Sequence, residues 1–263
     1  MATSNSSTAL ITGASSGFGA QFTRLFAADG WNVVMVARGG AAMEALAREI
    51  EHAHAVEATV VPTDLSAPGA SAELAAELGG RGIVADALVN NAGFSTYSEF
   101  WRDDPSKQSS MLQVNVVALT ELSRLIVPGM VERGRGRVLH LGSVASFGAA
   151  PMTAAYAATK AYVLWLSLAM AEELKGTGVT VTCLCPGPSE TAFQERATMQ
   201  DSALIRGKQL SSAREVAVTG YTAMKAGAPY VVTGGASKAF AFGSRFLPRT
   251  LTARIVGRAQ RRT

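Results

Sequence analysis

The sequence predicts an α/β fold, a single domain built around a doubly wound, parallel, seven-stranded sheet. Seven short runs rich in Val, Ile and Leu alternate with Ala-rich stretches of helical character. The runs are apolar on both faces, which is typical of strands that helices cover on both sides. The chain has 263 residues, of which 48% are hydrophobic and 17% charged, so it can bury a large core without disulfides.

The predicted elements alternate regularly along the chain. Strands are predicted at Thr8–Thr12, Asn32–Ala37, Ala58–Pro62, Ala87–Asn90, Arg137–Leu141, Val179–Leu184 and Tyr230–Val232. Helices are predicted at Phe18–Ala28, Ala41–His52, Ala70–Leu78, Pro105–Glu132, Ala154–Lys175 and Ala213–Lys225. Parallel strands joined by right-handed helical crossovers form a Rossmann-type sheet, which binds its ligands at the carboxyl ends of the strands.

A glycine-rich turn joins the first strand to the first helix and reads TGASSGFG. Glycines allow a tight turn that brings backbone N–H groups to a pyrophosphate at the helix N-terminus. We therefore expect dinucleotide contacts from Gly13, Ser15, Ser16, Phe18 and Gly19.

The GASSG segment of this turn also matches the nucleophile elbow of α/β-hydrolases. A hydrolase of that kind needs a histidine late in the chain, and no histidine follows His140. The hydrolase interpretation is therefore the less favoured one.

The ends of the next three strands supply the other predicted cofactor contacts. Arg38 follows the second strand, where an acid would bind the ribose 2′-hydroxyl of NAD and an arginine can bind the 2′-phosphate of NADP. NADP(H) is therefore favoured over NAD(H). Asp64 and Leu65 follow the third strand and are expected to contact the adenine. After the fourth strand, the floor under the cofactor ribose is predicted to contain Asn90, Asn91, Ala92 and Gly93.

Tyr156 and Lys160 are the predicted chemical centre, because a spacing of four places both side chains on one helix face, about 5–6 Å apart at Cβ. The ammonium and an oxidised nicotinamide are expected to lower the tyrosine pKa from about 10 to about 7. The phenol can then exchange a proton with a carbonyl or alcohol oxygen. Ser143, after the fifth strand, can hold that oxygen. Asn115, among apolar neighbours, can hold a water that feeds the lysine.

These motifs resemble those of the short-chain dehydrogenase/reductase family, over nearly the whole chain. The glycine turn, the NNAG sequence, the tetrad and a PG motif at Pro186–Thr191 occur in the family's order. The resemblance implies the strand order 3-2-1-4-5-6-7 and reversible ketone–alcohol chemistry, as in a carbonyl reductase.

The resemblance also implies a role for each site residue. Tyr156 is the expected acid/base and Lys160 the group that binds the ribose and tunes the tyrosine pKa. Ser143 is expected to orient the carbonyl, and Asn115 to anchor a proton relay. Further implied cofactor contacts are Tyr156, Lys160, Pro186, Gly187, Ser189 and Thr191, the last with the nicotinamide carboxamide.

The substrate is expected under a lid near residues 188–212, at the carboxyl ends of the strands. Its pocket is predicted to be lined by Phe94, Ser143, Phe147, Met152 and Phe193. These side chains favour an apolar ketone or secondary alcohol, and no metal is expected.

The charge of the chain is divided unevenly. The net charge is +4, but no acidic residue follows Glu215, so residues 216–263 carry eight cations and residues 1–215 are slightly acidic. This distribution argues against a nucleic-acid partner, whose binding surface would be basic within the folded body.

We expect residues 1–235 to form the dehydrogenase domain and residues 236–263 a basic, amphipathic extension packed on it. The 28 residues after Gly235 resemble the branch related to 17β-hydroxysteroid and 3-ketoacyl reductases. The extension is expected to pack on the body or on a partner subunit of a dimer or tetramer, with peripheral contact to an anionic membrane as the alternative.

The polar N-terminus has no signal-peptide pattern, so a cytoplasmic location is expected. Cys183 and Cys185 are expected to be buried thiols that point to opposite or staggered positions. A second class of function is an NADP(H) sensor without turnover. Such a protein would be expected to lose Tyr156 or Lys160, and both are present.

Overall fold

The computed structural model describes residues 7–190 and 210–260, and it confirms the predicted α/β fold. The strands of the main sheet are β1 Thr8–Thr12, β2 Asn32–Ala37, β3 Ala58–Pro62, β4 Ala87–Asn90, β5 Gly136–Leu141, β6 Val179–Cys185 and β9 Tyr230–Val232. These seven strands are parallel and lie in the order β3-β2-β1-β4-β5-β6-β9. A separate parallel pair consists of β7 Ser189–Glu190 and β8 Ser211–Ser212.

The helices are α1 Gly17–Ala28, α2 Gly40–Ala53, α3 Ala70–Gly80, α4 Pro105–Leu112, α5 Leu119–Glu132, α6 Ala154–Glu173, α7 Ala213–Lys225, α8 Gly235–Gly243 and α9 Arg249–Gln260. One face of the sheet packs against α1, α2 and α7, and the other against α3, α5 and α6. Neighbouring residues of β1 serve opposite faces, since Ile11 packs with the first set and Leu10 with the second. This two-sided burial explains why the strands read as unbroken apolar runs.

The helix predicted at Pro105–Glu132 is continuous but irregular. A π-helical turn at Gln113–Ala118 separates α4 from α5. Among the described residues, this run alone is long and apolar enough to cross a membrane by length and composition. Its α5 part packs against α3 and the sheet, as a core helix of a globular protein does.

The two cysteine side chains were predicted to point to opposite or staggered positions, and this prediction is wrong. Cys183 and Cys185 are both fully buried free thiols, and their Sγ atoms lie 3.7 Å apart. Residues two apart on a strand project to the same face, which is the physical reason for the correction. A side chain at Gly142, directly after the neighbouring strand β5, would meet both sulfurs.

The C-terminal helices lie against the segment that precedes α6. The ring of Phe240 approaches the Cβ position of Gly148 to 3.1 Å, and Pro151 Cγ approaches that of Gly257 to the same distance. Thr252 is buried in this contact. The end of α9 is thereby brought beside the carboxyl edge of the sheet.

Candidate active site

The carboxyl ends of the central strands open into one cavity of about 1030 Å³. Its wall runs from the glycine turn, past the ends of β2 and β4, to the first turn of α6. The same cavity thus contains both the predicted dinucleotide contacts and Tyr156. Among residues 7–190 and 210–260, no three His, Cys, Asp or Glu side chains are placed to hold a metal ion.

Two glycines of the turn have backbone angles that residues with a side chain rarely adopt. Gly13 and Gly17 have φ of +66° and +57°, a region that glycine enters without steric cost. A Cβ on Gly13 would lie 2.7 Å from Asn91 Nδ2 and 3.0 Å from Ala92 Cα. Gly19 does not line the cavity. A Cβ there would overlap the carbonyl oxygen of Gly13, so Gly19 lets α1 start close beneath the turn.

Thr12 links the end of β1 to the end of β4, a role that was not predicted from the glycine motif. Its Oγ1 accepts hydrogen bonds from the N–H groups of Asn91 and Ala92, both at 3.0 Å, and donates to Val89 O at 3.3 Å. Asn91 Nδ2 donates to Thr12 O at 2.9 Å. These bonds hold the floor of the cavity flat beside the glycine turn.

Asn90 was predicted to contact the cofactor, but in the structure its side chain points away from the cavity. Its Nδ2 donates to Ser123 Oγ at 3.1 Å, and Ser123 Oγ lies 3.1 Å from His140 Nε2. Asn90 is buried against α5 and does not line the cavity. The reason is strand alternation, since adjacent residues point to opposite sides and only Asn91 faces the turn.

Arg38 and Asp64 lie on the rim where the adenosine end of a dinucleotide is expected, and Leu65 lines the same region. Arg38 is exposed and free to rotate toward a ligand. Asp64 accepts hydrogen bonds from the hydroxyl and N–H of Ser66, at 2.7 and 3.0 Å. These bonds, with a smaller contribution from Arg38, lower the pKa of the Asp64 carboxyl. The rim therefore carries a fixed anion and a movable cation.

Tyr156 and Ser143 meet at the inner end of the cavity. Ser143 begins the short 3₁₀ helix Val144–Phe147, and its Oγ accepts from Ala145 N at 3.1 Å. The Ser143 side chain also hydrogen-bonds to Tyr156. Burial of the phenol raises the Tyr156 pKa to about 12, and the bond to Ser143 opposes that rise only partly. The expected fall to about 7 is therefore not found in the protein by itself.

Lys160 lies close to Tyr156 on the same helix. Its Nζ lies 5.7 Å from the centre of the Tyr156 ring and donates to Leu141 O at 2.6 Å. Burial lowers the pKa of Lys160 to about 8, so the ammonium stays mostly protonated at neutral pH. A lower phenol pKa requires the positive nicotinamide of an oxidised cofactor as well.

Asn115 occupies the π-helical turn, and such turns often lie at functional sites. Its Oδ1 accepts from Phe94 N at 3.1 Å, while its Nδ2 donates to Phe94 O at 3.0 Å and to Thr159 Oγ1 at 3.2 Å. A Cβ on Gly93 would lie 2.9 Å from Asn115 Oδ1 and 3.5 Å from Lys160 Nζ. Asn115 thus clamps the chain after β4 behind the cavity, and its part in a proton relay stays a prediction.

The PG motif follows β6 and closes the cavity opposite the glycine turn. Pro186, Gly187, Pro188 and Ser189 all line it. A Cβ on Gly187 would overlap Ser237 Oγ, so a larger residue there would make the Ser237 side chain on α8 turn away. Thr191, predicted to contact the nicotinamide, lies outside the described residues, as do Phe193 and most of the predicted lid.

The predicted substrate residues divide into three groups. Phe94 and Ser143 line the cavity. Phe147 does not, because its ring packs toward Tyr230, with ring centres 6.4 Å apart. Met152, with φ of +68°, lines a separate shallow surface depression with Tyr97 and Arg102. Phe147 and Met152 are therefore wrong as lining residues of the main cavity.

Several lining residues were not predicted. They are polar for the most part and come from the β4–α4 segment, from α4, from the π-helical turn, from the α6 N-terminus and from the last helix: Thr96, Tyr97, Asp103, Ser106, Lys107, Ser110, Val114, Thr153 and Gln260. Those of α4 recur at three or four residues, a spacing that marks one helix face. No sequence signal pointed to Gln260, because only tertiary packing brings α9 to this site.

Comparison with known proteins bears on both fold and chemistry. A family model described as short chain dehydrogenase matches residues 7–202. The very-long-chain 3-oxoacyl-CoA reductase of Bos taurus is 31% identical over 182 residues, which are 68% of this chain and 58% of that protein. The chain therefore spans little more than half the length of this curated relative.

Two solved structures show the same fold with different dinucleotides. A short-chain dehydrogenase from Sphingobium yanoikuyae in complex with NADPH has a TM-score of 0.81 at 28% identity, covering 91% of this chain and 94% of the other. A 3-oxoacyl-[acyl-carrier protein] reductase from Brucella melitensis with bound NAD has a TM-score of 0.74 at 25% identity, covering 88% and 91%. Similarity of the whole fold therefore does not decide between NADP(H) and NAD(H), and the residues near the cofactor have to be considered.

Proposed function

Since the chain belongs to the short-chain dehydrogenase family of oxidoreductases, we propose that it is an NADP(H)-dependent enzyme that interconverts an apolar ketone and a secondary alcohol. The observation that carries this proposal is the Tyr156 phenol, hydrogen-bonded to Ser143 in the cavity that begins at the glycine turn. The relative named a 3-oxoacyl-CoA reductase favours a 3-oxoacyl chain as the ketone. Loss of nicotinamide absorbance with a panel of such ketones tests the proposal.

The described residues fit a dinucleotide. The glycine turn lines the cavity and opens the N-terminus of α1, where N–H groups and the helix dipole favour a pyrophosphate. A Cβ on Gly13 would clash with Asn91 and Ala92, so this close approach of the turn to the end of β4 needs glycine. Arg38 and Asp64 stand where the adenosine would lie, and Lys160 where the nicotinamide ribose would lie. When bound, the nicotinamide supplies or accepts the hydride.

Residues of the chain itself would bind the substrate oxygen and transfer the proton to it. In the reductive direction, the Ser143 hydroxyl and the Tyr156 phenol both hydrogen-bond to the carbonyl oxygen. Tyr156 gives its proton to that oxygen as the carbonyl carbon is reduced, so the alcohol leaves with both hydrogens accounted for. A pKa near 12 keeps the phenol protonated at neutral pH, which suits this direction. Lys160 stabilises the phenolate that remains.

Arg38 supports the preference for NADP(H). We expect Arg38→Asp to weaken NADPH binding by roughly 10- to 150-fold, because hydrogen bonds to a charged phosphate contribute about 1.5–3 kcal/mol. NADH binding should be unchanged or improved. Steady-state kinetics with both cofactors measure the effect. Arg48→Asp, on the exposed face of α2 and outside the cavity, is the matched control. An unchanged ratio of NADPH to NADH efficiency would contradict the assignment.

We also propose that the protein is a homo-oligomer. Apolar side chains remain exposed on α4, α5 and α6, among them Leu112, Leu125 and Trp165, the last at 69% exposure. Exposed aromatic and aliphatic side chains of this kind are typical of interfaces. A dimer or tetramer should be seen by light scattering, and a 27.3 kDa species at micromolar concentration would refute this proposal.

The C-terminal extension supports a further part of the proposal, that a cytoplasmic enzyme touches anionic membranes. Phe242 and Phe246 are 64% and 73% exposed, and the neighbouring Arg249, Arg254 and Arg258 are exposed as well. Exposed aromatic rings beside cations are suited to an anionic lipid surface.

Vesicle co-sedimentation tests this surface. Replacing Arg249, Arg254 and Arg258 with Gln should release the protein from phosphatidylserine vesicles, since each lost cation removes about 1 kcal/mol of attraction. A control with the same loss of charge elsewhere replaces Arg48, Arg81 and Lys175. Equal sedimentation of the two variants would count against membrane contact.

A further inference from the structure

The last residue of α9 reaches the candidate active site. Gln260 is only 5% exposed, although it ends a helix whose other face carries arginines. It lines the same cavity as Ser143 and Tyr156. A long polar side chain is rarely buried without a reason, so its contacts decide what it can do.

Two hydrogen bonds hold Gln260 in a defined orientation. The Tyr97 hydroxyl donates to its backbone carbonyl, and its Nε2 donates to Thr153 Oγ1 at 3.3 Å. Thr153 Oγ1 already gives its only hydrogen to Ala150 O, at 3.4 Å, and can therefore only accept from the amide. The amide nitrogen therefore faces Thr153 in the structure, and the amide oxygen lies on the other side.

That oxygen, Gln260 Oε1, is buried and accepts no hydrogen bond from residues 7–190 or 210–260. An acceptor left in this state is costly unless a ligand donates to it. Thr153 lies three residues before Tyr156, at the start of α6, so Gln260 stands about one helical turn from the reacting group.

We propose that Gln260 is a specificity-determining residue whose side-chain oxygen accepts a hydrogen bond from a donor on the substrate, away from the reacting ketone. This inference rests on the proposed function and adds a substrate class to it: apolar ketones that carry a hydroxyl or an amide N–H at one position. An analogue with a methyl group in place of the donor leaves the buried oxygen unpaired, which is how such sites discriminate.

The test uses pairs of linear ketones that differ only in a terminal hydroxyl or methyl group, over a series of chain lengths. At one chain length, the wild-type protein should favour the hydroxyl ketone in kcat/KM by about tenfold, the value expected for one neutral hydrogen bond. Gln260→Met should bring that ratio close to one, chiefly by lowering the kcat/KM of the hydroxyl ketone.

The control is Thr250→Met, an exposed position of the same helix outside the cavity, and it should behave as the wild type. A wild-type ratio near one at every length, or a ratio that survives Gln260→Met, would overturn the inference while ketone reduction itself stands. If no ketone is reduced, the proposed function fails. In that case, calorimetry measures the binding of the same ketone pairs. Tighter binding of the hydroxyl ketone that Gln260→Met abolishes would support the inference, and equal binding of the two ketones would overturn it.

Discussion

Tyr156→Phe should lower the turnover of any accepted ketone by roughly 10²- to 10⁴-fold, the usual contribution of a positioned general acid. This corresponds to about 3–5 kcal/mol in the barrier. The substitution removes only the hydroxyl, so packing of α6 and binding of NADPH should be nearly unchanged. Single-turnover absorbance measures the chemical step, and fluorescence of bound NADPH measures the affinity.

Tyr162→Phe is the matched control for this experiment. Tyr162 lies on the same helix, and its hydroxyl bonds to Thr120 Oγ1 at 2.9 Å on the outer face. Its loss should leave turnover unchanged. Full activity in Tyr156→Phe would remove the acid/base role of this tyrosine, and equal loss in both variants would indicate damage to α6.

Lys160→Met should change stability and activity in opposite directions. The lysine is buried, and burial lowers its pKa from 10.5 to about 8. Holding the ammonium charged at pH 7 therefore costs up to about 3 kcal/mol, at about 1.36 kcal/mol per pKa unit. The apolar substitution removes this cost but gives up the bond to Leu141 O, so we expect a net stabilisation of about 2 kcal/mol. Turnover should fall by roughly 10²-fold, because the phenolate loses its cation.

The pH dependence gives this prediction a sign. Below pH 8 the lysine is charged in both folded and unfolded protein, and the cost of burying it is fully present. Between pH 8 and 10.5 the folded protein loses the proton first, so wild-type stability rises with pH relative to the variant. The advantage of Lys160→Met in urea denaturation should thus be largest at pH 7 and vanish before pH 10.5 is reached. A variant that is less stable than the wild type at pH 7 would show that the ammonium is well compensated.

The order of the strands and the location of the cavity were predictable, because they follow from features that are local in the chain. Runs apolar on both faces specify a covered parallel sheet, and the right-handed crossover rule leaves few ways to arrange it. Gly13 and Gly17 mark positions where only a residue without Cβ adopts the backbone conformation at no cost. Spacing alone likewise placed Tyr156 and Lys160 on one helix face.

Side-chain direction was harder to predict at the ends of elements. Asn90 and Asn91 are adjacent and chemically alike, yet one packs under α5 and the other holds the glycine turn. Phe147 suits a substrate pocket by composition, but α8 and β9 offer it an apolar contact outside the cavity. Which of several equivalent contacts a residue makes depends on elements far along the chain.

The sequence by itself determined the fold class, the dinucleotide turn and the identity of the groups that can exchange a proton. These depend on periodicity, spacing and residue chemistry, which act over a few residues. Only the tertiary structure decided how those groups are tuned and what else enters the site. The pKa of Tyr156 rises because the folded chain removes water from the phenol. Gln260 reaches the cavity because α9 packs on the segment before α6, and solvent exclusion and long-range packing of this kind exist only once the whole chain has folded.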